Sequence, residues 1–519
     1  MAQTRLKTIF RAASLVMLFF ILSRLLGIVR DVVIANQFGA SRQYEAYVAA
    51  LTIPDFMFYV ISGGALGSAF IPVFAQNLSQ KDQAGAWQLA SAILNWLFLI
   101  LTTVAIIMAI FAPSLVAFTV GRGFDPVDQA LAASLMRWLL ISTVVFGISG
   151  LSMGILHAHQ HFFLPALAPV IYNIAIILGA WLLSPIWGIY GLVIGVVTGA
   201  IGHLLVQLPG LKAVHPRYQA ILPTDNPSVR EVGRLMAPRV LGLAAIQLNF
   251  VWDKTLASAL IVGSLAGLER GWRIMLLPQG IIAQAVAAAS FPTFAALVAE
   301  ESWQELQNIV VITLRNVLYL TIPATVGLIV LSRPLIQLFY ERGQFTPTDT
   351  VLTTWALGFY SLGLVGHSLV EIVTRVFYAL HNTKTPVIIA IVAMGLNMIL
   401  SWILMNLFAQ WGWPPHAGIA LASSIAISIE MVWLLVQLNR LAPHLSIHIP
   451  TRFLSYTGLA SGLMGLVLWF VVGWFATLTP WLLIPIGMAL GAIIYGGFTF
   501  ALGLAEPKML VQQVTRRLR

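Results

Sequence analysis

Ser23-Arg24-Leu25-Leu26-Gly27-Ile28-Val29-Arg30-Asp31 places two guanidinium groups and a carboxylate inside an apolar run that extends from Phe10 to Ile34. One helix of that length can cross a bilayer. A charge at such depth is costly, so it must face a bundle interior, a watery cavity or an opposite charge. At 100° per residue Arg24, Gly27 and Asp31 share one helix face, with Arg24 and Asp31 about 10 Å apart along the axis. Two chemistries fit this pattern. Arginines facing a cavity would bind an anion, and their planar donor forks suit phosphate oxygens. Alternatively, an Arg–Asp pair would only lock helices together.

The same cost singles out Glu45, Arg137, Arg239, Asp253, Lys254, Glu269, Arg270, Arg273 and Arg375, all in apolar stretches. Arginines outnumber acids, so a cavity lined by them would attract anions. Glu269 and Arg273 stand at i,i+4, where the carboxylate can neutralise its neighbour. Asp253 beside Lys254 is equally open to pairing with another helix. Other chemistry lacks its residues. There is no cysteine, no phosphate-binding G-x-x-x-x-G-K loop and no H-E-x-x-H. His157, His159 and His161 alternate in a short turn without an acidic partner, which reads as an interfacial loop and not a metal site. Asp125, Asp128 and Asp349 read as helix caps. Enzyme activity is therefore not expected, and neither a cofactor nor a confident metal site is.

These residues need a scaffold, and composition names it. Of 519 residues, 59% are hydrophobic and only 9% charged, against about 25% charged in a soluble domain. Apolar runs of about 17–25 residues recur, which is helix length for a bilayer; a barrel would show short alternating strands. The chain is expected to be an all-α polytopic membrane protein with fourteen transmembrane helices, from about residues 10–35 to about 480–504. The net charge of +10 does not imply nucleic acid, because the basic residues gather in short loops and at the ends. Arg5, Lys7 and Arg11, then Lys212, Arg217, Arg230 and Arg234, then Lys384, Arg440 and Arg452, then Lys508, Arg516, Arg517 and Arg519, share one side only with fourteen spans. Both termini are therefore expected in the cytoplasm. The first span lacks a small-residue cleavage site and reads as retained.

The chain also repeats itself. Ser23-Arg24-Leu25-Leu26-Gly27 returns as Pro238-Arg239-Val240-Leu241-Gly242, and Pro72 returns as Pro292 in matching surroundings. Arg122-Gly123 returns as Arg342-Gly343, Pro126 and Asp128 as Pro347 and Asp349, and Pro165 as Pro386. Matches in order at a nearly constant offset indicate two homologous halves of six spans, about residues 1–220 and 221–441. Six is even, so both halves enter the membrane in the same sense, with a substrate site expected between them. About residues 442–519 add two helices and a basic tail. Gly458-x-x-x-Gly462 and Gly487-x-x-x-Gly491 in that pair allow close helix approach or ordinary packing.

With Phe38-Gly39-Ala40, the opening motif resembles the MurJ/MviN family of lipid II flippases. So do Gly64-Ala65-Leu66 with Ala69-Phe70-Ile71-Pro72, Gly154-Ile155-Leu156-His157-Ala158, Leu164-Pro165-Ala166-Leu167-Ala168-Pro169, Glu341-Arg342-Gly343-x-Phe345 and Arg375-Val376-Phe377-Tyr378-Ala379-Leu380. The resemblance spans nearly the whole chain and places it in the multidrug/oligosaccharidyl-lipid/polysaccharide exporter superfamily. It implies two six-helix lobes plus two helices that form a groove for a polyprenyl tail. It also implies alternating-access movement of undecaprenyl-diphosphate-linked disaccharide-pentapeptide, lipid II, from the inner to the outer leaflet of the bacterial plasma membrane. By resemblance Arg24, Arg30 and Arg273 bind the diphosphate, while Asp31, Glu45 and Arg239 orient or gate. Glu45 stands where the family usually has Asp, and Phe58 where some members carry another arginine. Asp253 and Asn397 match a sodium site of some members, with Ser401 in place of an acid. Sodium or the membrane potential is thus a candidate driving force. Lipid II and membrane lipids are the expected partners, and a monomer the expected state. A flippase for another polyprenyl-linked glycan, or a cation or drug exporter of the same superfamily, are the alternatives.

The absence of cysteine makes the topology directly testable. Single cysteines near Asn77 and Thr383 should react only with reagent supplied from the cytoplasm, and one near Thr348 only from outside. Reversed labelling at any of the three would exclude fourteen spans with cytoplasmic ends.

Overall fold

The computed structural model describes residues 2–61, 65–80, 82–223, 226–442, 445, 447–475 and 478–507, with side chains except at 2–15, 61, 65–68, 238, 239, 241, 242 and 245. Gly64, the basic tail from Lys508 and the side chains of Arg5, Lys7, Arg11 and Arg239 lie outside the described residues. Packing divides the chain into two compact units, residues 1–262 with 342–345, and residues 263–341 with 346–519. The sequence repeat and this division by packing describe different properties, and their boundaries differ.

The first unit contains α1 (Ala2–Phe38), α2 (Arg42–Ile61), α3 (Ala65–Ser79), α4 (Gln83–Ile110), α5 (Ala112–Phe118) and α6 (Pro126–Ala158). It continues with α7 (Phe163–Leu178), α8 (Ser184–Trp187), α9 (Ile189–Leu205), α10 (Leu208–Ala213) and α11 (Pro227–Ser258). The second unit contains α12 (Ser264–Gln279), α13 (Ala285–Ala299), α14 (Trp303–Val330), α15 (Ser332–Phe339) and α16 (Pro347–Leu362). Then come α17 (Leu364–Ala379), α18 (Lys384–Gln410), α19 (Pro415–Leu441), α20 (Thr451–Trp474) and α21 (Pro480–Ala501). Wide-turn segments Gly179–Leu183 and Gly280–Gln284 continue α7 and α12. Helix is the element that satisfies its own backbone in hydrocarbon.

The chain is an all-α polytopic membrane protein. Among the described residues ten helical runs are long and apolar enough to span, or eleven when α16 and α17, bent by 42°, form one crossing. The 37-residue α1 and the 32-residue α11 stand outside that number. They are the helices that carry Arg24, Arg30, Asp31, Arg239 and Asp253. The total is consistent with fourteen spans.

Helix limits follow local chemistry and recur along the chain. Helices α4 and α14 are both 28 residues long and begin at Gln83 and Trp303, 220 positions apart. Short helices follow at Ala112 and Ser332, with the same separation. Helices α6 and α16 each begin on a proline, Pro126 and Pro347, where a missing N–H costs nothing. Each is capped by a polar side chain: Asp125 accepts from the Asp128 N–H, and Thr346 forms a reciprocal capping box with Asp349. Pro72 and Pro292 occupy the same place, the eighth residue, in α3 and α13.

Within the first unit glycine sets two close approaches. A Cβ on Gly179 would lie 2.6 Å from the Gly195 Cα, so α7 and α9 touch backbone to backbone. Gly39, at φ +57°, ends α1, and a Cβ there would meet the Gln344 carbonyl oxygen, whose own N–H donates to Asn36 O at 2.9 Å. This fastens residues 342–345 to the end of α1. The stretch after α10 is strapped to α4: Asn95 Nδ2 donates to Gln219 O and Ile221 O at 3.0 and 2.8 Å, and Tyr218 Oη donates to Asn95 Oδ1.

In the second unit the last two helices share the core of α14 and α17. Phe294, Leu314, Phe377, Leu434, Phe453 and Met464 belong to one buried cluster. A polar ladder adds direction: Tyr319 Oη and Thr499 Oγ1 are 2.8 Å apart, Tyr495 Oη donates to Tyr319 O at 2.7 Å, and Arg315 pairs with buried Glu506. A Cβ on Gly487 would lie 3.3 Å from Leu331 and one on Gly491 3.4 Å from Leu468, so both sit close to their neighbours, whereas Gly458 and Gly462 face open space.

Candidate functional site

Helix α1 is built so that its two arginines fall on different faces. Six residues separate Arg24 from Arg30, which turns them about 120° apart. Seven separate Ser23 from Arg30, which returns them to one face. That face packs on α7. Arg30 Nη1 donates to Asn173 Oδ1 at 3.1 Å, and Asn173 Nδ2 donates to Ser23 O and Oγ at 3.3 Å and to Pro169 O at 3.0 Å. Asn173 is buried, and one amide thus satisfies a guanidinium, a hydroxyl and two carbonyls inside an apolar span. Phe19 packs edge-on against Phe163 at 5.4 Å along the same interface.

Arg30 turns its other donors to its chain neighbour. Its Nε and Nη2 reach Asp31 Oδ1 at 3.0 and 2.9 Å, with the side chains 22% and 15% exposed. Asp31 is therefore engaged by Arg30, next to it in sequence, and its separation along the axis from Arg24 has no part in that pair. Arg24 stands apart. Its guanidinium lies over the Phe20 ring at 5.1 Å, it is exposed, and it makes no hydrogen bond or ion pair among the described residues. A planar donor fork held on an aromatic face, within an apolar helix, is equipped to meet an anion.

Glu45 belongs to another cluster. It is 1% exposed and accepts from Arg42 Nη1 at 2.9 Å. Arg42 also approaches Asp128 Oδ2 at 3.6 Å and lies over the Phe124 ring at 4.9 Å, joining the first turns of α2 and α6. In the second unit Arg273 is held along α12: Nε and Nη2 reach Glu269 Oε1 at 3.2 and 3.0 Å, with Arg273 35% exposed. Trp272, between Tyr360 and His367 at 5.2 Å from each, fixes that stretch of helix. Arg270 is buried beside Tyr340, and Arg375 pairs with Glu371 at 2.9 Å. Arg137 caps the end of α4 by donating to Ala109 O.

Asp253 is buried in α11 of the first unit and Asn397 is buried in α18 of the second. Arg239 lies on α11, its side chain outside the described residues. Among the described residues no three His, Cys, Asp or Glu gather as a metal site. His159 stacks on Trp87 and faces Phe74, and His157 faces Phe162, so that turn is an aromatic cluster. Gly150-Leu151-Ser152-Met153-Gly154 has the spacing of a hydrolase nucleophile elbow, but it lies within α6, where Ser152 donates to Ile148 O.

Asn173 and the Arg42–Asp128 contact were not evident from sequence. A lone amide in the apolar segment Phe163–Leu178 was the available signal, since a polar group in hydrocarbon requires a partner. Asn173→Leu should remove the bridge between α1 and α7. The expected result is a loss of about 2 kcal/mol, since a hydrogen bond to a charged group contributes about 1.5–3 kcal/mol. Thermal unfolding of the purified protein measures this; an unchanged melting temperature would show that the bridge carries no weight.

A family model described as lipid II flippase MurJ matches residues 34–488. A lipid II flippase MurJ of Burkholderia cenocepacia is 28% identical over 477 residues, covering 89% of this chain and 90% of its own. A solved structure, lipid II flippase MurJ in an inward closed conformation, aligns with a TM-score of 0.78 at 30% identity, covering 94% of this chain and all of that one. An inward-facing multidrug resistance transporter of the MATE family aligns with a TM-score of 0.67 at 16% identity over 81% of this chain, a likeness of fold alone. With a family model matched across most of its length and helices in the same arrangement, the chain belongs to the MurJ family of lipid II flippases.

Proposed function

We propose that this protein flips lipid II, the undecaprenyl-diphosphate-linked disaccharide-pentapeptide, from the inner to the outer leaflet of the bacterial plasma membrane by alternating access. The observation that carries the reading is Arg24: a guanidinium with no ion pair among the described residues, within an apolar helix, in a chain of this family. The two repeats, about residues 1–220 and 221–441, act as similarly oriented lobes, with the last two helices joined to the second. Both termini face the cytoplasm, and the monomer is the working unit.

Within this reading Arg24 and Arg273, one from each repeat, act on the same diphosphate. Arg30 has donors committed to Asp31 and Asn173, so it shapes the wall and adds positive potential. Asp31 and Glu45 orient Arg30 and Arg42, the partners they hold, and Arg239 is the counterpart of Arg24 in the second repeat. Sodium at Asp253 and Asn397, or the membrane potential, is the proposed driving force. A carboxylate and an amide oxygen suit a hard cation. A flippase for another polyprenyl-linked glycan uses the same diphosphate chemistry. Depletion of the protein distinguishes the two, since the lipid-linked precursor that accumulates identifies the substrate.

Arg24→Ala and Arg273→Ala are each expected to abolish complementation of a flippase-depleted cell at normal membrane levels. The lysine variants should impair it strongly, because an ammonium cannot make the planar two-bond contact. If both alanine variants are stable and support growth, the diphosphate clamp is wrong. Exchanging the charges of Arg273 and Glu269 should not restore activity; restoration would assign Arg273 to helix pairing alone.

Asp253→Asn should remove any dependence of transport on sodium. A parent protein that is already indifferent to sodium over a wide range leaves the membrane potential as the driving force.

A further inference from the structure

The second unit carries a groove that the flippase reading does not use. Helix α19 forms most of its wall, from Leu421 to Arg440, with Leu362 at the bend between α16 and α17 on the other side. Its volume is about 680 Å³. The stretch of α19 is about 28 Å long at 1.5 Å per residue, close to the thickness of a bilayer core. The walls are apolar: Val432, Trp433 and Val436 are exposed along it. The serines on this face are already satisfied by backbone. Ser424 donates to Phe359 O at 2.6 Å and Ser428 to Ser424 O at 2.7 Å. Nothing along the middle of the groove therefore calls for a polar ligand.

One end differs. Gln437 and Arg440 close the groove, and neither makes a hydrogen bond or ion pair among the described residues. Arg440 is exposed in the last turn of α19. Lys384, the first residue of α18, is also exposed, and the four residues between α18 and α19 place it at the same end of that helical hairpin. A long apolar slot that finishes at an uncommitted guanidinium matches one kind of molecule, a chain-bearing lipid with an anionic head. We propose that this groove binds an anionic phospholipid, its phosphate on Arg440 with Gln437 as a second donor, and one acyl chain lying along Val436, Val432 and Ser428. Arginine is suited to the head because its fork contacts two phosphate oxygens at once.

The chain has no cysteine, so one fluorescent label can be placed at Val436→Cys in protein reconstituted into vesicles. Phosphatidylglycerol and phosphatidylcholine with brominated acyl chains then serve as quenchers at equal mole fraction. The expected result is quenching by the phosphatidylglycerol several-fold above that by the phosphatidylcholine. Arg440→Gln should bring the two to the same level, and Arg440→Lys should retain part of the preference. A label at Leu459→Cys, on the exposed face of α20, should show no preference. Equal quenching by both lipids at Val436→Cys, or an undiminished preference in Arg440→Gln, would overturn the site. Displacement of the phosphatidylglycerol by stoichiometric polyprenyl phosphate would overturn phospholipid as the occupant. Thermal unfolding of Arg440→Gln checks that the fold is kept, and Arg440→Lys reads the same preference if it is not.

Discussion

The constraint behind this structure is the cost of a charge in hydrocarbon. A soluble protein can leave an arginine in water; a spanning helix must give it a partner, an aromatic face or a cavity. Partners and aromatic faces are both used here. Arg30 is shared between Asp31 and Asn173, Arg273 lies along Glu269, Arg42 joins Glu45 and Asp128, and Arg315 meets Glu506. These contacts connect elements as well as neutralise charge. Arg30 and Asn173 tie α1 to α7, Arg42 ties α2 to α6, and Arg315 ties α14 to the segment that follows α21. Hydrophobic burial cannot discriminate among apolar helices in a lipid of equal polarity, so these contacts, with small-residue packing such as Gly179 on Gly195, specify which helices meet.

Much of the architecture was legible because the bilayer simplifies the code. Apolar run length gives the helices, and prolines, glycines and caps give their limits. Pro126 after Asp125, and Pro347 after Thr346, mark the starts of α6 and α16 without any tertiary information. The near-constant offset of the motifs reappears in helix limits, since the same local chemistry acts twice. Partner choice was less legible. Periodicity puts Arg24 and Asp31 on one face, yet Asp31 is taken by Arg30 because a long guanidinium side chain can fold back on its neighbour. Asn173 signalled a need for a partner, but which partner was not legible because that depends on which helix faces α7. Glu45 lies near α1 in sequence, but its partner is Arg42, three residues before it on its own helix.

Arginine in these positions has a further consequence for transport. A flippase must hold a charged head group in a polar environment and then let it go. A guanidinium fully committed to protein acceptors cannot do that, because its donors are taken. One left entirely bare in hydrocarbon would destabilise the helix. Arg24 avoids both extremes: Phe20 covers one face of the guanidinium while its edge donors stay uncommitted among the described residues. A cation–π contact contributes about 0.5–2 kcal/mol and offers no competing acceptor. The aromatic ring therefore holds the fork in place without occupying the atoms that an incoming diphosphate would need.

Arg273 represents a different compromise. Both contacts from its Nε and Nη2 go to a single oxygen of Glu269, Oε1. The carboxylate lowers the cost of the charge between cycles but also competes with any anion that arrives. Under the proposed function a diphosphate, with more charge and more acceptor oxygens than one carboxylate, would displace Glu269 on binding and return Arg273 to it on leaving. Glu269 on the same helix as Arg273 keeps this competition local, since the pair is set by an i,i+4 spacing. Under the proposed function the two arginines have complementary roles. Arg24 offers donors that need no displacement, and Arg273 offers donors whose release from Glu269 keeps binding from becoming a trap.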